Sequence, residues 1–190
     1  MYNEHLTTVA QFPDVFSADE CRWLIDLPVP SGDAGVQVRN SDNVQDSVST
    51  VAYEFRRTRV KPIPPEQPYA WVYQRLRGLV WHANAQAFRF HLGDEMTVEV
   101  LEYDPAGFFD WHVDIGAGFF STRKLSMVTF LTSPDEYEGG DLCFMDRGGP
   151  MRLARGARAI FPSYLLHKVE PVTRGCRHTM VSWAHGPSFA

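Results

Sequence analysis

The sequence lacks the features that would indicate a membrane, a nucleic acid or a disulfide framework. No apolar run approaches the roughly 18 residues that a membrane-spanning helix requires. Lys and Arg number 18 against 23 Asp and Glu, so no basic footprint favours nucleic acid as a partner. The N-terminal residues lack the charged and apolar regions of a signal peptide. These absences predict a cytoplasmic protein that binds neither a membrane nor a nucleic acid.

Cysteine is also scarce. Cys21, Cys143 and Cys176 are widely spaced and odd in number. This pattern favours buried thiols in a reducing compartment, and it argues against both a disulfide framework and a zinc site.

The pattern of apolar residues divides the 190 residues into a helical part, 1–95, and a strand-rich part, 96–190, which we expect to form a single domain. Ser17 with Glu20 matches a capping box, so a first helix is predicted to begin at Ser17. Apolar residues at helical intervals predict a second helix over 68–88. The polar stretch 30–49 between them is predicted to be a loop with a short strand at 36–38.

From residue 96 onward, short apolar segments alternate with turns rich in glycine and proline. The predicted strands cover 96–103, 108–115, 124–132, 140–145, 151–154, 157–162, 167–172 and 177–184. Such a series indicates a sandwich or a jelly roll. We take as the predicted fold a mainly β protein: a double-stranded β-helix (jelly roll) core with N-terminal α-helices packed on it.

Two histidines and one aspartate form the main candidate site. His112 and Asp114 lie two residues apart on a predicted strand, so both should point to one face, and His167 follows 53 positions after Asp114. Two imidazoles and one carboxylate suit one face of Fe(II) and leave positions open for a chelating cosubstrate and O2. A closed zinc site would want four ligands, usually including cysteine, and no cysteine is near in sequence. The HxD pair alone is a weak signal, and the strand context and His167 strengthen it. The other five histidines, His5, His82, His91, His178 and His185, are interpreted as structural or surface residues.

Arg177 and Tyr103 are candidate cosubstrate contacts. Arg177 follows His167 by ten positions, and a guanidinium can pair with a carboxylate through two hydrogen bonds. We therefore expect the cosubstrate to be a 2-oxo acid. Tyr103 ends the strand before the HxD strand, and a core tyrosine with a satisfied hydroxyl is an equally good interpretation of it.

From Tyr103 to Trp183 the sequence resembles the Fe(II)/2-oxoglutarate-dependent dioxygenases of the prolyl 4-hydroxylase type. Four segments carry the resemblance: YDPAGFFDWHVD, RKLSMVTFLTSPDEYEGGDLCF, FPSYLLHKVEPV and GCRHTMVSW. The resemblance implies that Fe(II), 2-oxoglutarate and O2 are required, with ascorbate as an additive in vitro. It also implies roles for six residues: iron ligation by His112, Asp114 and His167, and cosubstrate binding by Arg177, Tyr103 and Thr129. Thr129 is included because its neighbour Phe130 lacks a hydroxyl where the family often has tyrosine.

The substrate is less well determined, and several alternatives stay open. The expected activity is hydroxylation of an unactivated C–H bond, of a prolyl or other residue in a protein or peptide, or of a free amino acid or small metabolite. A non-catalytic metal-binding jelly-roll module and a zinc- or manganese-dependent cupin-like enzyme are the other classes. The segment 32–49 is either a lid over the site or a solvated connector. Arg123 and Lys124 either attract an acidic substrate or are solvated, and the aromatics near His112 either wall the pocket or belong to the core. The oligomeric state is not determined by the sequence.

Overall fold

A computed structural model of the protein describes residues 6–34, 36–39, 49–52, 54–145 and 149–189. Its helices are α1, Ala18–Ile25, and α2, Ala70–Ala83. The strands are β1 Ala10–Phe12, β2 Gly32–Ala34, β3 Val36–Arg39, β4 Ser49–Ala52, β5 Arg56–Pro62, β6 Met96–Tyr103, β7 Phe108–His112, β8 Arg123–Phe130, β9 Tyr137–Gly139, β10 Leu142–Phe144, β11 Arg158–Pro162, β12 His167–Val169, β13 Val172–Gly175 and β14 Arg177–His185. No helix in the described part of the chain is long and apolar enough to cross a membrane.

Both predicted helices are present, and the second is shorter than predicted. The capping box is confirmed: the Glu20 amide donates to Ser17 Oγ (3.2 Å), and the Ser17 amide donates to Glu20 Oε2 (2.9 Å). α2 ends at Ala83, and the rest of the predicted helix is a π-helical turn, Asn84–Phe88. The Asn84 side chain bonds both the amide (2.9 Å) and the carbonyl (2.8 Å) of Phe90, so a side chain replaces the backbone partners that a continuing helix would supply.

The strands form an antiparallel sheet that curls into the predicted jelly roll. Nine strands follow one another in the order β1-β11-β8-β14-β6-β5-β7-β12-β10, and β2 pairs with β5. Two two-stranded sheets, β13-β9 and β3-β4, complete the arrangement. This order places β6 beside β14, and β7 beside β12, although long stretches of sequence separate the members of each pair.

The strand predictions are accurate in the middle of the core and wrong at several edges. The strand predicted over 96–103 is β6, residue for residue. The strand predicted over 151–154 is wrong, because Met151 forms only an isolated bridge there. The strand predicted over 167–172 is divided into β12 and β13, with Pro171, which has no amide hydrogen, at the break.

The segment predicted as a loop over 30–49 contains more strand than expected. β2 pairs with β5, and β3, which includes the predicted strand 36–38, pairs with β4 in the register Val36↔Ala52. The loop prediction is therefore wrong for β2, whereas the short strand predicted at 36–38 is confirmed. Residues 40–48 of the proposed lid lie outside the described residues.

The core has two layers, which alternate along each central strand. On β6, Val98 and Val100 pack toward the helices, while Leu101 and Tyr103 face the interior of the roll. β8 and β14 follow the same rule, since successive side chains of a strand point to opposite faces. The sheet thus separates a helix-covered layer from the interior in which the site lies.

Candidate active site

Two histidines face each other across neighbouring strands. His167 on β12 is the direct antiparallel partner of His112 on β7. His112 Nδ1 lies 2.7 Å from the Asp110 carbonyl, and His167 Nδ1 lies 2.8 Å from the Leu165 carbonyl. A carbonyl accepts only from N–H, so each ring carries its proton on Nδ1 and presents the Nε2 lone pair to the space between the strands.

Asp114 completes this group from just beyond the end of β7. The strand predicted over 108–115 ends at His112, so the direction of Asp114 is set by its own contacts rather than by strand alternation. Its amide donates to the Ser163 carbonyl (2.9 Å), and Ser126 Oγ donates to its Oδ2 (2.5 Å). Asp114 Oδ1 lies 3.7 Å from His112 Nε2, and Oδ2 lies 3.7 Å from His167 Nε2. The three ligand atoms lie within 4.8 Å of one another.

The charges of the group suit a divalent metal. Burial, together with the neighbouring His167, lowers the pKa of His112 to about 4, which keeps the imidazole neutral at pH 7. Burial alone would raise the pKa of Asp114. The neighbouring His167 and His112 and the hydrogen bond from Ser126 have a larger opposite effect, so the pKa lies below its usual range. Two imidazoles and one carboxylate on one side of an open cavity are the donor set of a facial Fe(II) site.

Arg177 supplies an unpaired cation to the same cavity. It is the direct partner of Tyr103 across β14 and β6, and only 1% of it is exposed. Its Nε, Nη1 and Nη2 make no hydrogen bond to any described residue, and its guanidinium carbon lies 5.1 Å from the Tyr103 ring and 5.4 Å from the Phe130 ring. A buried, unpaired guanidinium is costly, and a carboxylate bound in the cavity would offset that cost.

Tyr103 and Thr129 differ in how they relate to Arg177. Tyr103 lines the cavity, and burial raises the pKa of its phenol, which also hydrogen bonds with Thr58. Thr129 lies on the opposite face of β8, where its Oγ1 accepts a 2.5 Å hydrogen bond from Arg158 Nε. The prediction that Thr129 contacts the cosubstrate is contradicted, because strand alternation turns its neighbour Phe130, and not Thr129, toward the interior.

Of two adjacent glycines that the sequence analysis did not include in the site, Gly140 lies against Arg177 and Gly139 lies against Pro171. Gly139 and Gly140 have φ angles of +70° and +66°. A Cβ on Gly139 would lie 2.2 Å from the Pro171 carbonyl oxygen, and a Cβ on Gly140 would lie 2.8 Å from Arg177 Cδ. Their signal in the sequence is the Gly-Gly pair itself, which indicates a turn but not the side chain that packs against it.

The cavity has a volume of about 530 Å³ and a mixed lining. Beside the metal group and Arg177 it is lined by four further charged side chains, Arg56, Glu99, Asp110 and Arg123. The lining also includes aromatic side chains, four of them Phe55, Phe109, Trp111 and Phe120, and all of these except Phe109 are exposed. The cavity is therefore polar and charged inside and apolar where it opens to solvent.

The sequence and the fold were compared with those of known proteins. The sequence profile of the 2OG-Fe(II) oxygenase superfamily matches residues 98–185. PKHD-type hydroxylases of Stutzerimonas stutzeri and Gluconobacter oxydans are 39% identical to this chain over 89 and 90 residues; each alignment covers 43% of this chain. The alignments span 39% and 40% of those relatives' own lengths, well under half.

Solved structures match over nearly the whole chain. A prolyl-4-hydroxylase of Pseudomonas putida has a TM-score of 0.68 at 21% identity, covering 94% of this chain and 93% of that one. The viral collagen prolyl hydroxylase of Paramecium Bursaria Chlorella virus-1 has a TM-score of 0.67 at 16% identity, covering 94% and 96%. At these identities the likeness concerns the fold.

The superfamily uses Fe(II), 2-oxoglutarate and O2, and the group of His112, Asp114 and His167 with the unpaired Arg177 suits these requirements. Residues 98–185, just under half of the chain, match the 2OG-Fe(II) oxygenase superfamily, and the fold is similar to that of solved prolyl 4-hydroxylases.

Proposed function

We propose that the protein is an Fe(II)- and 2-oxoglutarate-dependent hydroxylase. The observation that carries the proposal is the unpartnered Arg177 guanidinium, which opens into the same cavity as the metal group. In this proposal His112 Nε2, His167 Nε2 and the Asp114 carboxylate hold Fe(II), and Arg177 pairs with the distal carboxylate of 2-oxoglutarate. Bound Fe(II) would supply the oxygen chemistry that couples decarboxylation of 2-oxoglutarate, to succinate and CO2, to hydroxylation of a C–H bond.

The other residues of the site position these groups and exclude water. Ser126 holds Asp114 through its Oδ2 and lies 2.9 Å from Ser163 Oγ, so the carboxylate has a fixed orientation before metal binds. Val128 and Val181 also line the cavity, and apolar walls strengthen charge pairing by keeping water out.

The first test is an anaerobic titration with Fe(II) and 2-oxoglutarate, followed by visible absorbance. Chelation of the metal by the 2-oxo acid should produce a weak metal-to-ligand charge-transfer band. Arg177→Gln should still bind iron, but its affinity for 2-oxoglutarate should fall at least about tenfold because a buried charge pair is lost. The matched control is Arg158→Gln, which alters an equally buried arginine whose contacts are with Thr129 and Met127 on the other face of β8.

Two outcomes would contradict the proposal. Iron bound without a charge-transfer band would favour a cupin-like enzyme or a non-catalytic metal-binding module. Equal 2-oxoglutarate affinity in the Arg177→Gln and parent proteins would remove Arg177 from the cosubstrate site even if turnover occurs.

For the substrate, we propose a prolyl or other residue of a peptide. The exposed apolar side chains at the mouth of the cavity support this, because Phe55, Trp111 and Phe120 offer rings against which an extended chain could pack. A prolyl hydroxylase of Trichoplax adhaerens, solved with a peptide fragment of hypoxia inducible factor, has a related fold with a TM-score of 0.69. Succinate release, with ascorbate present, on proline-containing peptides and on free amino acids would separate the two substrate classes.

A free amino acid is the second candidate, and one observation favours it. Glu99 points into the cavity without a hydrogen bond or ion pair to any described residue, while Arg56 and Arg123 act on it through space. Burial raises the pKa of Glu99, and the two arginines oppose this. A carboxylate and guanidinium groups in one cavity complement the ammonium and carboxylate of an amino acid.

Glu99→Gln distinguishes the two candidates, because it removes the negative charge and keeps the side-chain shape. A free amino acid should lose its apparent affinity about tenfold or more through the lost ammonium contact, which corresponds to about 1.4 kcal/mol. A peptide whose reacting residue has no free ammonium should be hydroxylated with nearly unchanged KM.

A further inference from the structure

A second group of metal-ligating side chains lies on the outer face of the two strands that carry Arg177 and Tyr103. β6 and β14 pair Tyr103 with Arg177, and therefore Glu102 with His178. Alternation turns Tyr103 and Arg177 into the roll, and it turns Glu102 and His178 to the other side, next to Cys176. The sequence analysis gave no role to this histidine and argued against zinc binding by any of the cysteines.

The separations of the donor atoms match a tetrahedral site. His178 Nε2 lies 3.8 Å from Glu102 Oε2 and 3.7 Å from Cys176 Sγ, and Cys176 Sγ lies 3.6 Å from Asp104 Oδ1. Zinc bonds of about 2.1 Å to nitrogen or oxygen and 2.3 Å to sulfur, at tetrahedral angles, place neighbouring ligand atoms about 3.4–3.6 Å apart. The side chains are thus within a few tenths of an ångström of the spacing that such an ion needs.

Neighbouring side chains orient the ligand atoms. Arg59 binds Glu102 through Oε1 and Asp104 through Oδ2 (2.7 Å), which leaves Oε2 and Oδ1 directed at the group. His178 Nδ1 lies 3.3 Å from Thr132 Oγ1, so a proton on Nδ1 can be donated there while Nε2 keeps its lone pair. Metal-binding histidines commonly have such a partner on the second ring nitrogen.

The charge of the group also leaves room for a cation. Two carboxylates stand against one guanidinium, so the group has an excess of negative charge. Burial, with Glu102 and Asp104 nearby, raises the pKa of Cys176 to about 12, so the thiol stays protonated without a cation beside it. A divalent cation that displaced this proton to solvent would leave two carboxylates and a thiolate balanced by Arg59 and the ion.

We propose that Glu102, Cys176 and His178 form a second metal site, for a borderline-soft divalent cation such as Zn²⁺. Asp104 Oδ1 is near Cys176 Sγ (3.6 Å) but is not part of this group of three, so a water would be the fourth ligand. Sulfur, imidazole and carboxylate together select zinc over the harder cations, whereas the inner group of His112, Asp114 and His167 contains no sulfur. The proposed site is independent of the hydroxylase activity.

Co²⁺ is the best probe because it reports sulfur ligation directly. A thiolate bound to Co²⁺ gives a charge-transfer absorption in the near ultraviolet that histidine and carboxylate ligands cannot produce. The titration uses the full chain with His112→Ala, which disables the inner group, under anaerobic conditions. We expect one Co²⁺ per chain with the thiolate band, displaced by Zn²⁺.

Variants assign the band to this site. Cys176→Ser should abolish it, while Cys143→Ser, which alters another partly buried thiol, should leave it unchanged. Thr132→Val keeps the side-chain volume and removes the partner of His178 Nδ1. This variant should retain the band, and its affinity for Co²⁺ should fall about 10–100-fold. This third variant keeps the test decisive should Cys176→Ser fail to fold. No thiolate band in the His112→Ala protein, a band that survives in folded Cys176→Ser, or unchanged affinity in Thr132→Val would overturn the proposal.

Discussion

Gly140 provides a sharp test of how Arg177 is held. Gly140→Ala would place a methyl group 2.8 Å from Arg177 Cδ and 2.9 Å from Val172 Cγ2. Relief to an ordinary contact of about 3.4 Å requires a shift of about 0.6 Å, and Arg177 is the more flexible neighbour. Because that arginine is buried between Tyr103 and Phe130, the shift should move its guanidinium away from the position that receives the carboxylate.

The expected loss of unfolding free energy in Gly140→Ala has two parts. An alanine at the φ of +66° costs about 1 kcal/mol or slightly more, and the overpacking adds about 1–3 kcal/mol to the loss of unfolding free energy. Only the clash, and not the backbone strain, should weaken the binding of 2-oxoglutarate, by about tenfold or more. The affinity for Fe(II) should stay near that of the parent. Chemical denaturation and the anaerobic absorbance titration measure the two effects separately.

Gly118→Ala is the matched control. Gly118 has nearly the same φ, +61°, but a Cβ there would meet nothing within 4 Å. It should therefore show the backbone strain without the clash, and 2-oxoglutarate affinity should be unchanged. The reasoning is refuted if Gly140→Ala binds 2-oxoglutarate as the parent does, or if both variants lose affinity equally.

Three further predictions concern the metal group and its surroundings. Ser126→Ala removes the donor to Asp114 Oδ2, so the affinity for Fe(II) in an anaerobic titration should fall about 10–100-fold. An unchanged affinity would show that other contacts orient Asp114. Thr129→Val should lower the unfolding free energy by about 1–3 kcal/mol, because Arg158 Nε loses its acceptor, and it should leave 2-oxoglutarate affinity unchanged; a weakened affinity would return Thr129 to the pocket. The metal-free protein should lose stability as the pH falls from about 6.5 toward 4, since His112 binds a proton less readily folded than unfolded. Denaturation across this range should show a smaller loss in His112→Gln, and equal losses in both proteins would count against the lowered pKa.

The metal group was predictable from the sequence because its signals are local. His112 and Asp114 lie two residues apart, and His167 and Arg177 are separated by a fixed short spacing. The reason given for Asp114 was incomplete: β7 ends before it, and the Ser163 carbonyl and Ser126 direct its carboxylate instead. Both contacts come from residues that are distant in the sequence, Ser126 on β8 and Ser163 just after β11, so no local pattern could have indicated them.

The central strand β5 was missed because its sequence resembles a solvated segment. Arg56–Pro62 contains three arginines and a lysine, and only Thr58 is fully buried. The strand is nevertheless paired with β2, β6 and β7. Arg56 lies 4.6 Å from the Phe109 ring in the cavity, while Arg59 binds carboxylates on the outer face. A charged sequence is therefore compatible with a central strand, and only the fold distinguishes such a strand from a solvated segment.

The register of β6 against β14 links the two proposed sites. Period-two alternation along a single strand predicts which side chains share a face, and on that basis the sequence separates Arg177 from His178. The partner of each residue depends on how the two strands are aligned, which alternation does not specify. Once Tyr103 stands opposite Arg177, Glu102 must stand opposite His178, so one alignment creates the cosubstrate contact inside and the donor group outside. A slip of one residue would turn every side chain of the strand to the other face and remove both sites together. The inner group can therefore be inferred from spacing, but the outer group becomes visible only when the strands are paired.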